Sequence, residues 1–387
     1  MPPYNIAVLP GDGIGVEVTH AALEVLRALA PKLGRHFELS IHPAGAQHFV
    51  DTGDALPALT LDACRQSHAI LFGAMGLPNV RGKDGTEIIP QLDLRFALDL
   101  YAGVRPIRTW PGLPVPLTDS RAAEIDIVLV RESTEGLFYA RGRGILEGQG
   151  DKAYALDTMK ITRAGTARVC DFAMRLASQR KAQGRRGHVT NVDKANVFTS
   201  MALWRQVFEE RARAFPDVTT ESAYVDAMAL NLVMKPWQYD VLVTENMFGD
   251  ILSDLIAALV GGMGMAPSAD IGEDHAVFQP AHGTAPDIAG RGIANPSAML
   301  LSAAMMLEWL AERHDDATLL DGARAIEMAL QGAFQSGAVR PFDFGGTSST
   351  ADITREVIKR LGPTGPRAFH PPGNVRPLPH ASSRPYV

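Results

Sequence analysis

The stretch YDVLVTENMFGDILSD, residues 239–254, joins an apolar run to an amphipathic helix. Residues 240–244 (DVLVT) predict a buried strand, and from Asp250 onward apolar residues recur at helical spacing. Asp250 and Asp254 then project from the same side of the helix, one turn apart. Their carboxylates repel, and a hard divalent ion such as Mg²⁺ or Mn²⁺ between them relieves that repulsion. The structural alternative is that Asp250 caps the helix and Asp254 is a solvated surface residue.

Length and composition are those of a soluble globular protein. The 387 residues, 46% hydrophobic and 21% charged, suffice for two sizeable domains or one large α/β unit. A net charge of −6 gives no basic surface for nucleic acid, and the two cysteines, Cys64 and Cys170, have no spacing typical of a metal site. The most apolar stretch, 255–265, is too short to span a membrane, and no basic, apolar leader precedes the first strand. We expect a cytoplasmic protein that binds neither nucleic acid nor a membrane.

Strands and helices alternate along the chain, which predicts an α/β architecture. A strand at 6–9 leads through the glycine-rich turn at 11–15 into a helix over 16–29. Further strands are predicted at 37–42, 69–73, 125–130, 188–192, 240–244 and 275–279. Further helices are predicted at 54–66, 164–182, 196–213, 226–235, 250–260, 296–313 and 317–335. The turn is not a Rossmann fingerprint, because its sixth position is Val16 rather than glycine.

Two segments fall outside this pattern. The glycine-rich stretch 141–153 predicts a protruding arm or mobile loop. The proline-rich end, 363–387, has little periodicity and predicts a disordered or loosely packed tail.

Three arginines lie near predicted strand ends or turns: Arg95, Arg105 and Arg131. Arginine holds carboxylates in a bidentate fork, so their convergence would indicate a polyanionic substrate. Taken singly, each is equally an ordinary surface residue.

Two further clusters admit a catalytic and a structural interpretation. Lys194 lies in VDKANV (192–197) at a strand-to-helix junction, where a lysine of lowered pKa acts as a base or a surface lysine simply starts a helix. Asp226 lies in YVDAM (224–228) among apolar residues, as either a helix N-cap or another metal ligand.

The loop HGTAPDIAGRGIANP, residues 282–296, is suited to holding a ligand with backbone groups, since glycine permits close approach. Asp287 in this loop can accept hydrogen bonds from both hydroxyls of a ribose. It would also repel a 2′-phosphate, which favours NAD over NADP.

Together these segments resemble the β-decarboxylating dehydrogenases, the family of isocitrate and 3-isopropylmalate dehydrogenases, and most closely the isopropylmalate branch. The resemblance covers roughly residues 4–362 and rests on motifs that occur in the family's order. They are GDGIG (11–15), LDLYAGVRP (98–106), VRESTEG (130–136), VDKANV (192–197), YVDAMALNLV (224–233), NMFGDILSD (246–254), GMGMAPSA (262–269), HGTAPDIAGRGIANP (282–296) and FGGTSST (344–350).

The resemblance implies a two-domain, non-Rossmann α/β fold. A discontinuous cofactor-binding domain is expected from residues 1–100 and 261–362, and a dimerisation domain from residues 101–260. It also implies a homodimer in which Lys194 and Asp226 of one subunit complete the active site of the other.

The resemblance further implies the roles of individual residues. Arg95, Arg105 and Arg131 are expected to bind substrate carboxylates, with Leu92 near the substituent on C3. Asp226, Asp250 and Asp254 are expected to hold Mg²⁺ or Mn²⁺, and Lys194 to take the proton from the substrate hydroxyl. The residues expected around NAD are Ile14, His282, Gly283, Ala285, Asp287 and Asn295.

The sequence departs from the family pattern at three places. Phe138 stands where the family has the tyrosine that protonates C3, and the neighbouring Tyr139 is our candidate for that acid. Gln279 replaces a glutamate expected near the nicotinamide. Before Arg95, Leu92 suits isopropylmalate but Gln91 and Pro90 do not, so D-malate, tartrate or isocitrate stay open as substrates. Phe138 and Gln279 also leave open a catalytically silent regulatory subunit.

Overall fold

One mixed sheet of ten strands runs through the molecule, in the order β2-β1-β3-β12-β11-β4-β5-β10-β8-β9. The computed structural model describes residues 2–83 and 85–362. The strands of this sheet are β1 (Tyr4–Leu9), β2 (Phe37–Ile41), β3 (Ala69–Phe72), β4 (Ala102–Arg108), β5 (Asp126–Glu132), β8 (His188–Asp193), β9 (Thr219–Tyr224), β10 (Val241–Thr244), β11 (Pro267–Ile271) and β12 (Ala276–Pro280). Two short strands, β6 (Ile145–Glu147) and β7 (Tyr154–Leu156), pair separately.

Helices pack on this sheet and connect its strands. They are α1 (Ile14–Leu33), α2 (Ala46–Thr52), α3 (Ala58–Gln66), α4 (Pro90–Ala97), α5 (Arg163–Ala182), α6 (Thr199–Ala212), α7 (Val225–Met234), α8 (Asn246–Leu259), α9 (Ser297–Arg313), α10 (Ala317–Gln335) and α11 (Thr350–Arg360). Short 3₁₀ turns include Leu137–Ala140. The α/β prediction is confirmed, and the strand order is not that of a Rossmann sheet. Among the described residues no helix combines the length and apolar character needed to cross a membrane.

Strand direction changes at the middle of the sheet. β11 is antiparallel to β12 and β4, and β4 is antiparallel to β5, whereas the pairs on either side of this centre are parallel. Strands from residues 1–100 and 261–362 form one half of the sheet and strands from 101–260 the other. The division of the chain into two domains at these boundaries stays a prediction.

Several predicted elements differ from the observed ones. The helix predicted at 54–66 is α3, which begins later, at Ala58 after Pro57, and ends at Gln66 as predicted. The helix α2, which ends before Gly53 with its left-handed φ of 84°, was not predicted. The helix predicted from 250 begins earlier, at Asn246. The strand β9 was not predicted because its sequence, TTESAY, is polar and almost wholly exposed at the sheet edge. The tail at 363–387 lies outside the described residues.

The segment predicted as an arm is an exposed two-stranded hairpin. Ile145 pairs with Leu156 and Glu147 with Tyr154, and every residue of β6 and β7 is exposed. An isolated hairpin of this length has marginal stability in water.

Candidate active site

Three neighbouring parallel strands deliver the principal site residues to one edge of the sheet. In the registers of β5, β10 and β8, Arg131 pairs with Thr244, and Thr244 pairs with Val192. Because the carboxyl ends of parallel strands meet at one edge, Arg131, the start of α8 and Lys194 follow the same edge. The buried strand at 241–244 lies between β5 and β8, and it therefore brings these residues to the same edge of the sheet.

Arg131 is anchored to the first turn of α8. Its side chain is buried, Nε donates to Asn246 Oδ1 at 2.9 Å, and Nη1 donates to the Asp250 carboxylate. Asn246 in turn donates from Nδ2 to the Glu135 carbonyl at 3.0 Å, which ties the loop after β5 to the same helix. The guanidinium is thus held in place by neutral and charged partners before any ligand binds.

The alternative that Asp250 caps α8 is wrong. The helix begins at Asn246, and Glu245 is the N-cap, with its carboxylate accepting from the Met247 and Phe248 amides at 3.1 and 2.7 Å. Asp250 and Asp254 therefore lie in the body of α8, one turn apart, as the sequence predicts.

Arg95 and Arg105 complete an arginine cluster around these aspartates. Arg95 donates from Nε to Asp270 Oδ2 at 3.0 Å, and Gln279 Nε2 donates to the same oxygen at 2.7 Å. Arg105 is 6% exposed and forms no hydrogen bond or ion pair with any described residue, and its Nε is buried without a partner. Burying a guanidinium without a partner costs free energy, and a bound anion would remove that cost. Arg105 is therefore a candidate for binding an anionic ligand.

The three arginines lie close enough for neighbouring guanidinium charges to lower the pKa values of Arg105 and Arg131. Burial lowers the pKa of Arg131 to about 10; Asp250 opposes this change, and Arg95 and Arg105 add to it. Burial also lowers the pKa of Arg105, with Arg95 adding to the effect and Asp270 opposing it. The structure therefore brings the three predicted arginines together, and their mutual repulsion favours a bound polyanion.

The two aspartates of α8 suit a divalent cation. Asp254 is exposed, but neighbouring protein removes part of its hydration, which raises its pKa, and Asp250 raises it further. Two carboxylates in mutual repulsion are hard oxygen donors of the kind that Mg²⁺ and Mn²⁺ prefer. A third acidic ligand is missing within this chain: the described residues contain no group of three His, Cys, Asp or Glu side chains able to hold a metal.

Asp226 lies elsewhere on the chain's surface, paired with Lys194. Tyr224, not Asp226, is the N-cap of α7, so the capping alternative for Asp226 is wrong. The Lys194 Nζ donates to the Asp226 carboxylate, and Tyr224 lies 5.8 Å from that Nζ. Lysine and aspartate together form a preassembled acidic–basic pair at the edge defined by β8.

Phe138 and Tyr139 lie on a 3₁₀ turn (137–140). Successive side chains on such a turn differ in direction by about 120°. The Phe138 ring centroid lies 5.0 Å from the Arg131 guanidinium carbon. The Tyr139 ring lies instead between Arg143 and Lys160, at 4.0 and 4.8 Å.

The predicted cofactor loop is connected to the first helix. Ile14 donates its amide to the Thr284 carbonyl at 2.8 Å, and the Thr284 hydroxyl donates to the Gly76 carbonyl at 2.7 Å. Ala285 has a positive φ of 36°, which is uncommon for a non-glycine residue and marks a constrained turn. Gly283 and Asp287 are exposed on this loop.

Two other predicted cofactor residues are held by their neighbours. His282 Nδ1 contacts the Gly283 carbonyl at 2.9 Å, its Nε2 is buried without a partner, and burial lowers its pKa. Asn295 donates to the Asp343 carboxylate at 3.1 Å and accepts from the Ser297 amide at 3.0 Å. A neutral imidazole with a free nitrogen is available to hydrogen-bond a ligand.

Residues near the expected C3 substituent are of mixed polarity. Leu92 is 5% exposed, so its side chain is largely packed in the protein. Gln91 donates weakly from Nε2 to the Met75 carbonyl at 3.4 Å, and its Oε1 is buried without a partner. This amide oxygen is therefore free to accept a hydrogen bond.

Sequence analysis overlooked two residues that organise the site. Asp270 is 1% exposed and receives both Arg95 and Gln279; an acidic residue inside the buried strand PSADI was the available indication. Asp12, within the turn at 11–15, accepts from the backbone amides of Ala46, Gln47 and Gly76 at 2.7–2.9 Å. Its carboxylate fixes the loops around the predicted cofactor site.

Comparisons with known proteins agree with this arrangement. The family model for isocitrate/isopropylmalate dehydrogenase matches residues 5–358. The chain is 40% identical to a 3-isopropylmalate dehydrogenase of Aquifex aeolicus, covering 93% of this chain and 98% of that protein. It is also 40% identical to a 3-isopropylmalate/3-methylmalate dehydrogenase of Methanocaldococcus jannaschii, covering 92% and 99%.

Solved structures give the same result. An isocitrate dehydrogenase from Methylococcus capsulatus has a TM-score of 0.81 at 35% identity, covering 92% of this chain and 99% of that one. A β-decarboxylating dehydrogenase from Thermococcus kodakarensis has a TM-score of 0.72 at 36% identity, covering 92% and 96%. The chain therefore has the fold of these enzymes and belongs to the isocitrate/isopropylmalate dehydrogenase family of decarboxylating dehydrogenases.

Proposed function

We propose that this protein is an NAD-dependent, Mg²⁺- or Mn²⁺-dependent cytoplasmic dehydrogenase. It oxidises and decarboxylates 3-isopropylmalate to 2-oxo-4-methylpentanoate and CO₂, as in leucine biosynthesis. The names of the relatives at 40% identity support this choice of substrate.

The observation that carries the proposal is Arg105. It is a buried guanidinium without a hydrogen bond or ion pair among the described residues, beside Arg95 and Arg131. Because Asp250 and Asp270 neutralise the other two arginines, Arg105 is the group most in need of an anion. A dicarboxylate substrate supplies the anion that Arg105 lacks. A bidentate contact between a carboxylate and a guanidinium also orients the substrate carbon atoms that lie between the two carboxylates.

The carboxylates of Asp250 and Asp254 fit a hard divalent cation, with Asp226 of the partner subunit as the third protein ligand. A bound cation would supply Lewis-acid polarisation of the substrate carbonyl, and NAD would serve as the hydride acceptor. Asp250 is paired with Arg131 here, so an Asp250 carboxylate that turned to the cation would leave Arg131 free to bind a substrate carboxylate.

Proton transfer is assigned to Lys194 and Tyr139. Lys194 of the partner subunit takes the proton from the C2 hydroxyl as hydride leaves C2. After the C3 carboxylate leaves as CO₂, Tyr139 returns a proton to C3. A reorientation of the 3₁₀ turn at 137–140 is part of this proposal, because Tyr139 lies between Arg143 and Lys160.

NAD is assigned to the loop at 282–296 together with Ile14. The carboxylate of Asp287 is exposed and accepts the ribose hydroxyls, while the free Nε2 of His282 and the backbone around Gly283 and Ala285 receive the remaining polar groups. Asn295 is assigned a supporting role through its contact with Asp343.

A homodimer is supported by apolar side chains left exposed on two adjacent helices. Leu230 and Met234 on α7 are 64% and 65% exposed, and Ile251 on α8 is 61% exposed. These residues flank Asp226 and Asp250, so a second copy that covers them brings its own Lys194 and Asp226 to the site.

A second candidate substrate is supported by Gln91. Its unpartnered Oε1 favours a substituent that donates a hydrogen bond, as the hydroxyl of tartrate does, over an isopropyl group. D-malate, without a C3 substituent, leaves room for a bridging water at this oxygen.

The experiment is NADH formation by the purified protein with Mn²⁺ and a panel of 3-isopropylmalate, D-malate, tartrate and isocitrate. The highest kcat/KM is expected for 3-isopropylmalate, and Arg105→Gln should lower it strongly while a thermal melt stays unchanged. Preference for tartrate or D-malate would replace the substrate and keep the chemistry. Absence of turnover with every acid would identify a catalytically silent subunit instead.

A further inference from the structure

A second cavity, of about 60 Å³, lies on the opposite face of the central strands from Arg105 and Arg131. Along β4 its walls are the alternate residues Val104, Pro106 and Arg108, continuing to Trp110, whereas Arg105 points to the other face. Their antiparallel partners on β5 are Val128, opposite Pro106, and Asp126, opposite Arg108. The other walls come from α5, α9 and α10, so this back cavity lies between the two halves of the sheet.

Carboxyl groups outnumber the cations that face the back cavity. Glu327 lies 3.3 Å from Arg108, and Asp126 is neutralised by Arg180 and Arg185. Glu308 is partly buried and forms no hydrogen bond or ion pair with any described residue. Arg108 therefore pairs with Glu327, and the Glu308 carboxyl group has no ion-pair partner among the described residues.

Buried polar atoms without a hydrogen bond among the described residues also face the back cavity. Trp110 is 5% exposed, and its indole Nε1 has no acceptor; Glu327 Oε2 and Arg108 Nη2 form an ion pair at 3.3 Å, but neither atom forms a hydrogen bond. Groups buried to this degree ordinarily find a partner in the protein or in water. The remaining wall is apolar and consists of the side chains of Leu176, Met265, Leu301 and Met305.

We propose that the back cavity binds a small organic cation, a one-carbon primary ammonium whose head contacts Glu308 and Glu327 and whose methyl group contacts Leu301 and Met305. Glu308 and Met305 lie on one face of α9, so a ligand that fits a volume of about 60 Å³ reaches both. A metal ion is disfavoured because the apolar wall supplies too few oxygen ligands. This site does not depend on the function proposed for the arginine cluster.

Ammonium binding is coupled to loss of a proton from Glu308. Burial and the neighbouring Glu327 raise the pKa of Glu308 well above its ordinary value, although Arg324 and Arg108 oppose this change. Burial likewise raises the pKa of Glu327. An arriving ammonium favours the charged carboxylate, so binding releases the Glu308 proton to the buffer.

The test is a titration of the full-length protein with methylammonium, followed by tryptophan fluorescence and by calorimetry. Saturable binding is expected at millimolar concentrations, with proton release detected as a dependence of the heat on buffer ionisation enthalpy. Trp110→Phe should remove the fluorescence change but keep the heat. Methanol, the neutral analogue, should not compete.

Glu308→Gln should weaken methylammonium binding at least about tenfold, as expected for loss of a charge-assisted hydrogen bond, and abolish proton release. Glu308→Asp, which keeps the charge, should restore part of the affinity. Glu209→Gln, an exposed glutamate on α6, is the matched control and should bind as the parent does. Absence of saturable binding, equal binding by Glu308→Gln, or equal binding of methanol would overturn the proposal.

Discussion

Phe138 lies against Arg131, with 5.0 Å between the ring centroid and the guanidinium carbon, at the position where the family has a proton-donating tyrosine. The ring supplies an aromatic face to the cation but no proton. The hydroxyl-bearing neighbour, Tyr139, lies between Arg143 and Lys160. The proton donor for C3 is therefore the part of the proposed mechanism that most needs an experiment.

If Tyr139 protonates C3, Tyr139→Phe should lower kcat by about 10²–10⁴-fold, the usual contribution of general acid catalysis. Binding of NAD and Mn²⁺ should change little, because only a proton donor is lost. Phe138→Tyr in the Tyr139→Phe background should recover part of the activity. Tyr154→Phe, on the exposed arm, is the matched control. Full activity of Tyr139→Phe would assign the proton to another group or to water.

Removal of the divalent cation should abolish turnover. EDTA is expected to stop NADH formation, and excess Mn²⁺ to restore it. Asp250→Asn should weaken Mn²⁺ binding by at least about tenfold, since it removes a charged ligand, as measured by electron paramagnetic resonance of free Mn²⁺. Asp274→Asn, whose side chain is 87% exposed, should bind Mn²⁺ as the parent does. Turnover that persists in EDTA would remove the metal from the mechanism.

The cofactor preference should depend on Asp287. NAD is expected to have a kcat/KM at least about tenfold higher than NADP, equivalent to about 1.4 kcal/mol, because the carboxylate repels a 2′-phosphate. Asp287→Ala should lower the ratio of kcat/KM with NAD to kcat/KM with NADP, mainly by lowering kcat/KM with NAD. Equal kcat/KM values for the two cofactors with the parent protein would contradict the assignment of the loop.

Stability should depend strongly on the buried pair Arg180–Asp240. Arg180 Nε donates to Asp240 at 2.5 Å, and the other carboxylate oxygen accepts from the Gly187 amide at 2.8 Å. Asp240→Ala removes the acceptor of Arg180 Nε and of the Gly187 amide and leaves the buried guanidinium with Asp126 alone, so it should lower the free energy of unfolding by about 3–5 kcal/mol. Urea unfolding followed by circular dichroism measures this, with Asp62→Ala, an exposed partner of Arg65, as the control. Similar losses in both variants would contradict the prediction.

Glu308 should make the unliganded protein less stable as pH rises. Its folded-state pKa is raised, so the folded protein retains a proton that the unfolded chain releases. The free energy of unfolding therefore falls as pH increases from the ordinary carboxyl pKa towards the raised value, and below that window the effect is absent. Glu308→Gln should raise stability at about pH 8 by on the order of 1 kcal/mol and leave it unchanged near pH 4. An unchanged pH profile in Glu308→Gln would refute this account.

Features that depend on local spacing were predictable from the sequence alone. The strand at 240–244 and the helix after it follow from the change in apolar periodicity, and the helical repeat of 3.6 residues places Asp250 and Asp254 one turn apart. The α/β class followed from the same alternation along the whole chain. The expected roles of Lys194 and of the loop at 282–296 came from the resemblance to the family, because composition alone does not indicate them.

Contacts between residues far apart in the sequence were not predictable in this way, because they depend on how the elements pack. Arg95 and Asp270 are 175 residues apart, and their contact requires β11 to lie antiparallel beside β4, an arrangement that no local pattern encodes. The 3₁₀ turn that separates Phe138 from Tyr139 is likewise set by its packing after β5, and the back cavity exists only where α5, α9 and α10 meet the sheet. Sequence periodicity determines the direction in which each side chain points within one helix or strand. Burial and pairing between elements determine which of those side chains come into contact.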